Sequence, residues 1–369
     1  MREGENRVKL RVFTSKTTPI GLEIGESEVH AVQFTSKSGQ LELLAASSQP
    51  ILNQNGGAGE LAAVRAVLGS APFQGKSVVC SLSNDEVDTR PLLMPVGISP
   101  EDERPFRKAL MEEARSALSY SPENAVIDYL PFGSKMLDEE ERFSLLLVAT
   151  PLEVVNRYTS LLRAAGVHCS SMDIGPSAVS RVLYNDERTY CVINVDDEST
   201  QVSIGNKGHL LFSRTVRLGS KTMIEQLEKS LSVSRADAVF LIQEYGCAIQ
   251  STDLGDFENL GSAGSLCPSV LSKTVNEICH GMFEALAMEV KRSIEYFTRQ
   301  REHHPVEESM VVGNILPGHI EQFLRDRLAI PVSSMSVFSR LDVELKQRVA
   351  GEDRYVVAAG LALRNVEAA

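Results

Sequence analysis

Four groups of residues in this chain are of types that do chemistry. His303-His304 and Glu307-Glu308 are metal-ligand types close together, but they flank Pro305 in a helix-to-strand connection, so a solvated loop is expected. Asp253, Asp256 and Glu258 are hard oxygen ligands without the Gly and carboxylate spacing of a calcium loop, and they read as an ordinary acidic loop. His168 and Cys169 are neighbours in sequence, which does not put a base against a nucleophile in space. The fourth group is a pair of acidic tight turns, Glu26-Ser27-Glu28 and Asp196-Asp197-Glu198, each set between two strand-like runs. Two such turns can gather backbone amides and carboxylates at one place if the chain brings them face to face.

The elements around those turns repeat. Pro19–Gly25 and Val29–Phe34 predict a hairpin over 19–35, followed by a strand from Leu41 to Ala46, a short helix over 58–69 and a buried strand from Lys76 to Leu82. Thr189–Val195, Ser199–Ile204 and Leu210–Val216 repeat the hairpin and third strand, and Gly219 opens a helix to about Leu231. Between the two sets lies a separate α/β unit. Its predicted elements are a strand Val87–Met94, an amphipathic helix Pro100–Leu118, strands Val126–Leu130 and Phe143–Thr150, and a helix Leu152–Ala165 closed by Gly166. Glu101, Asp102 and Glu103 suit the first turn of their helix through its dipole. A Gly-, Ser- and Asp-rich loop over 250–268 precedes a long helix, about Val270 to Gln300, whose Met282, Leu286, Val290 and Ile294 form a core stripe. A strand Glu307–Val312, a turn at Gly313-Asn314, a helix Leu316–Leu328 and a last helix Val356–Arg364 follow. The repeat implies duplicated α/β lobes facing each other, with two unrelated hairpins as the alternative.

Composition narrows the function classes. At 369 residues the chain exceeds one ordinary core. A formal net charge of -12 argues against a phosphate-backbone binder and against direct docking on an anionic leaflet. No apolar run of bilayer-spanning length occurs, and the basic stretch MREGENRVKLRVFTSK has no apolar segment behind it, so no secretory signal is expected. Six cysteines without a CxxC signal neither a zinc site nor a redox pair, and reduced thiols are expected.

Over nearly the whole chain, from about residue 18 to 366, the segments resemble the actin-like superfamily and, within it, the PilM-type pilus assembly proteins. GLEIGESEVHAVQF resembles the first phosphate loop, and NVDDESTQVSI followed by GHLLFSRTVRLGS the second. LLMPVGISPEDERPFRKALMEEARSALSYSPENAVIDYLPF and LLLVATPLEVVNRYTSLLRAAGVHCSSMDIGPSAVSR resemble the subdomain that PilM and FtsA insert into the first lobe. LAMEVKRSIEYF, VVGN and YVVAAGLALR are similar to the family's Glu-x-x-Arg-Ser helix, adenosine-loop glycine site and closing segment. The resemblance implies an α/β, actin-like two-lobed fold with duplicated ribonuclease-H-like lobes. The first lobe would take 1–84, the inserted α/β subdomain 85–175, a return through the first lobe 176–190, the second lobe 191–345, and a closing helix 346–369 back to the first lobe.

It also implies a site. Such proteins hold ATP and Mg between two hairpins whose turn amides form an anion nest. Carried onto this chain, the cofactor-binding positions are Glu23, Gly25, Glu26, Ser27, Asn194, Asp196, Thr200, Gly219, Gly313 and Asn314. Several depart from the pattern. Glu23 stands for the usual Asp, and His30 for the Lys that follows the first loop. Asn194 takes the place of the second loop's Asp, Asp196 that of its Gly, and Asn314 that of the adenosine segment's second Gly. In SVSRADAVFLIQEYG, Ala236-Asp237 stand for Ala-Glu and Phe240 for the Lys. Two unit charges about 4 Å apart cost about 4 kcal/mol at an effective dielectric of about 20, so the acidic second turn disfavours a phosphate unless a cation offsets it. Lost turnover and weak or lost nucleotide binding are expected, with no catalytic or metal-binding residue assigned.

The function implied is a cytoplasmic scaffold of a type IV pilus or related secretion machine, peripheral to the inner membrane. It would dock the cytoplasmic N-terminal peptide of a PilN-like inner-membrane protein, with the pilus motor ATPases and further copies of the chain as other partners. An ATP-binding FtsA-like division or filament protein is the alternative, and it needs an amphipathic helix after the closing RNVEAA. An actin-fold small-molecule kinase is another, and it needs the intact second loop that Asn194 and Asp196 alter. A GspL-like secretion component would carry a transmembrane helix and a periplasmic domain.

Overall fold

The computed structural model describes residues 17–37, 40–52, 57–137, 139–184, 186–247, 268–300, 305–343, 345, 349 and 351–364. The acidic loop residues Asp253, Asp256 and Glu258, and the pair His303-His304, lie outside them.

The first lobe opens with strands β1 (Ile20–Ile24), β2 (Glu28–Lys37) and β3 (Gln40–Pro50), helix α1 (Gly57–Gly69) and strand β4 (Ser77–Leu82). Next come β5 (Asp88–Leu93), α2 (Glu103–Ala117), β6 (Ala125–Leu137) and β7 (Glu140–Pro151), then α3 (Leu152–Ala164), β8 (His168–Ile174) and α4 (Gly175–Val182). The second lobe runs β9 (Tyr190–Val195), β10 (Thr200–Asn206), β11 (His209–Val216), α5 (Ser220–Leu231), α6 (Arg235–Tyr245) and α7 (Pro268–Gln300). It continues with β12 (Glu308–Gly313), α8 (Ile320–Leu328), β13 (Val332–Ser334) and a one-turn α9 (Val337–Arg340), before α10 (Val356–Ala362).

Duplication is explicit in the sheets. Their orders are β3-β2-β1-β4-β8 and β11-β10-β9-β12-β13. In each, the hairpin strands pair antiparallel and the outer two strands join in parallel. The fold is actin-like. The segment expected as one inserted subdomain, 85–175, divides: β5, β6 and β7 form their own sheet in the order β5-β7-β6, whereas β8 pairs with β4 in the first lobe. Tyr158, Leu161 and Leu162 of α3 pack in the same core as α1 and β1.

Helical spacing buries one face of each helix. Phe106, Leu110 and Ala114 pack α2 on the small sheet, and Leu286 and Val290 pack α7 in the second lobe with Met282 and Ile294 at the core's edge. Gly166 adopts φ +85, the left-handed residue that ends α3. A further core spans both lobes: α4 and α10 sit between Val32 and Val79 of the first sheet and Tyr190, Val192, Met310 and Val312 of the second. α10 lies at backbone contact distance. A Cβ on Gly21 would meet Ala358 O at 1.9 Å, and one on Gly360 would meet Ala178 O at 1.9 Å. His168 and Cys169 alternate along β8 and face opposite sides of the sheet.

Candidate functional site

Each lobe aims a hairpin turn at the other. Leu22 and Ile24 alternate with Glu23 along β1, so the apolar pair enters the core and Glu23 faces the cleft. The first turn, Gly25 to Ser27, closes with Gly25 N–H donating to Glu28 O at 2.9 Å. The second closes identically, with Asp196 N–H donating to Ser199 O at 2.9 Å. Its other side is locked to α5: Ser220 N–H donates to Asp196 O at 2.9 Å and Lys221 N–H to Asp197 O at 2.8 Å, which satisfies free amides of that helix.

Between the turns is a nook of about 30 Å³, the space of a water molecule or two. Glu23, Gly25, Glu26, Asn194 and Asp196 all line it. Outside it a wider cleft of about 970 Å³ is lined by Gly25, Glu26, Ser27 and Asn314, with Arg235, Gln243 and Arg354. The other expected positions shape the walls. Thr200 is fully buried and its hydroxyl donates to Leu218 O at 2.7 Å. A Cβ on Gly219 would meet Asp197 O at 2.2 Å. Gly313 has φ +155, and a Cβ there would meet Val195 O at 2.3 Å, so it lets β12 end against β9. Phe240, at the position of the family's Lys, is 46% exposed.

The turns touch. Glu26 Oε2 accepts the Glu198 N–H at 2.6 Å, and the Asn84 side-chain amide donates to Asp196 Oδ2 at 3.4 Å. Asn84 and Asp85 escaped the sequence reading. Their signal was the polar run Ser83–Glu86 directly after a buried parallel strand, where open α/β sheets place ligands. Removal from water and the neighbouring Asp196 carboxylate hold Glu23 well above the usual carboxylate range. Burial, then Glu26, Asp197 and Asp85, push Asp196 up to about 8. Glu26 rises to about 7, chiefly by burial, although the Glu198 amide pulls it down.

His30 is buried, with Nδ1 3.2 Å from Arg354 O and Nε2 3.2 Å from Glu28 Oε2. Burial and the Arg354 guanidinium push it down to about 3, so it is neutral. Nδ1–H then donates to the carbonyl and Nε2 carries no proton for Glu28, whose Oε2 has no hydrogen-bond partner. His30 therefore does not supply the cation of the Lys it replaces.

The chain matches the family described as "Type IV pilus assembly protein PilM" over residues 21–243. It belongs to the PilM family. Among solved structures, it superposes on the protein of a "PilM-PilN type IV pilus biogenesis complex" with a TM-score of 0.74 at 22% identity, covering 96% of this chain and 100% of that one. It is also similar in fold to the ethanolamine utilization protein EutJ from Carboxydothermus hydrogenoformans, with a TM-score of 0.53, 11% identity and coverage of 96% and 92%. A nucleotide-free diol dehydratase-reactivating factor gives 0.54 and 10%, covering 95% and 99%. No curated protein sequence matches.

A phosphate between the turns would draw on the second turn's amides; here the Glu198 N–H is already bonded to Glu26, and Glu26 and Asp196 line the nook, which shares Gly25 and Glu26 with the wider cleft. Among the described residues no group of three His, Cys, Asp or Glu is arranged to hold a metal ion.

Proposed function

We propose that this PilM-family protein is a scaffold of a type IV pilus or related secretion machine, that it docks a cytoplasmic peptide of a PilN-like inner-membrane protein, and that it does so without nucleotide. Membership of the family of pilus assembly proteins carries the reading. The likeness of fold to the PilM of a PilM-PilN complex, along the full length of that chain, supports it. Among the described residues no helix is long and apolar enough to cross a membrane, so an attachment through a membrane partner is consistent.

We propose the first lobe and its inserted sheet as the docking surface. β5 and β6 are the two edge strands of that sheet, so each keeps one row of main-chain groups for a partner strand. Pro91 suits β5 for an edge, since it has no N–H to offer a ladder. Val126 on β6 is 42% exposed.

The test is calorimetric titration of the protein with the partner's N-terminal cytoplasmic peptide, with and without millimolar Mg-ATP, against a Val126→Glu variant. Equal binding in both conditions, weakened in the variant, is expected. Absence of binding in both would remove the docking role. Binding only with Mg-ATP would instead make the site a working nucleotide sensor.

A further inference from the structure

Actin-like lobes are ordinarily bridged by a ligand: both hairpins turn their amides toward one phosphate chain, and that anion spans the cleft. In this chain the span is made by a side chain. Glu26 sits at the tip of the first turn, and its Oε2 takes the backbone N–H of Glu198 at the tip of the second, 2.6 Å away and 172 positions along the chain.

From this geometry we infer that Glu26 is a built-in substitute for the nucleotide phosphate, a carboxyl acceptor carried by the first lobe that occupies the second lobe's phosphate loop and holds the cleft closed without ligand.

Three further observations support the assignment. First, the second turn is rigidly presented. Its carbonyls cap α5 through Ser220 and Lys221, and Gly219 leaves no room for it to move inward, so the Glu198 N–H stays aimed at the cleft. Second, the receiving turn is neutralised on its own side. Lys221 Nζ lies 2.6 Å from Glu198 Oε1, so a cation offsets the exposed side-chain carboxylate of the residue whose N–H meets Glu26. Third, the nook behind Glu26 is closed to about 30 Å³, so the carboxylate shuts the phosphate end while the outer cleft stays open.

The surroundings define what the contact must overcome. Asp85 faces Glu26 from the turn after β4, Asp196, Asp197 and Glu198 face it from the second hairpin, and Glu28 and Arg354, 3.7 Å from each other, line the same cleft. Burial and three of these carboxylates raise Glu26 to about 7, and the Glu198 amide opposes them. An incoming phosphate would meet the same acids without being tethered. Glu26, held on the turn, loses little further freedom when it binds, which favours it over a free anion. The departures in the two loops then belong together: a Gly at 196 and a vacant amide at 198 serve a phosphate, whereas an Asp at 196 and a Glu at 26 exclude one.

The inference deepens the nucleotide-independent reading but needs neither nucleotide nor partner to test, so its failure would leave peptide docking untouched. Amide hydrogen exchange would be followed at Glu198 in the full chain, with small-angle scattering for lobe separation. Glu26→Ala removes the acceptor, and Glu26→Asp keeps the charge but shortens the reach by one methylene. Ser27→Ala serves as a control in the same turn. Both Glu26 variants should lose protection at Glu198 by on the order of tenfold, the worth of a hydrogen bond to a charged group, and should scatter as a more open molecule. The Ser27 variant should match the wild type. Wild-type protection at Glu198 in either Glu26 variant, or an equal loss in Ser27→Ala, would overturn the assignment.

Discussion

The backbone N–H groups of Gly25 and Asp196 hold equivalent places: each donates to the carbonyl three residues on, at 2.9 Å, in the first turn of its lobe. The same hairpin bond is thus made once by glycine and once by a residue whose carboxylate projects into the space between the lobes. Removing the Asp196 carboxylate should leave the turn intact and remove much of its electrostatic cost.

That cost has a pH signature. A carboxyl titrates near 4 in an unfolded chain, whereas Asp196 titrates at about 8 and Glu26 at about 7 in the folded protein. Folding retains those protons, so the associated stability is complete below about pH 4 and is lost as the pH rises to about 8. The wild type should melt several degrees lower at about pH 8.5 than at about pH 6. Asp196→Asn should flatten that limb, as scanning calorimetry at several pH values would reveal. An Asn variant with an unchanged alkaline slope would show that Asp196 is not the group responsible.

His30 acts with the opposite sign. Its folded value of about 3 lies below the unfolded value of about 6.5, so folding expels its proton and stability declines as the pH falls from about 6.5 towards 3. His30→Gln retains a neutral hydrogen-bonding side chain and cannot be protonated there. The variant should lose less stability than the wild type between about pH 6.5 and 4.5, measured by urea midpoints.

Gly360→Ala tests the contact between the last helix and α4. Its Cβ would lie 1.9 Å from Ala178 O, and backbone cannot yield as a flexible side chain does. Destabilisation of roughly 2–4 kcal/mol is expected from urea unfolding. A cost below about 0.5 kcal/mol would mean that α10 sits further from α4 than described.

Arg157 ties α3 to the entrance of the inserted sheet. Its Nη2 lies 2.5 and 2.6 Å from the two oxygens of Glu86, and the Tyr158 hydroxyl donates to the same carboxylate at 3.2 Å. The pair is solvent-accessible, so Arg157→Ala should cost under about 1 kcal/mol of global stability. Local opening should increase all the same. Limited proteolysis should cut within 86–151 several-fold faster, with unchanged melting temperature as the companion observation.

Both lobes were legible because each strand-turn-strand unit pairs two short apolar runs around an acidic turn, Glu26–Glu28 in one and Asp196–Glu198 in the other. Other elements were not. α6 carries Val239, Phe240, Leu241 and Ile242 in a row, which hides the helical period. Its usable signal was the cap: Ser234 accepts the Asp237 N–H at 3.2 Å, and Asp237 accepts the Ser234 hydroxyl at 2.8 Å. α4 is short and made largely of small residues, with Pro176 at its start as the one mark. β6 runs past Leu130 because a register shift between Pro131 and Gly133 absorbs one extra residue, Phe132, where the Pro and Gly read as a strand end. At the site, motif order placed Glu23, Gly25, Glu26, Asn194 and Asp196 around one nook, but spacing alone could not show that Glu26 reaches Glu198. That contact depends on how the two lobes close over the cores they share, that of α4 and α10 and the smaller one of Leu146, Ile174 and Leu210.

The close seat of α10 on β1 also bears on how the protein is made. Residue 21 is translated long before the backbone it packs against, at 358 and 362. The first lobe therefore begins ahead of the second and is completed only after it. Through most of translation its central sheet presents an uncovered apolar face, and any chain interrupted before about residue 356 exposes that face permanently. Nascent-chain quality control should recognise such truncated products by the bare sheet around Gly21.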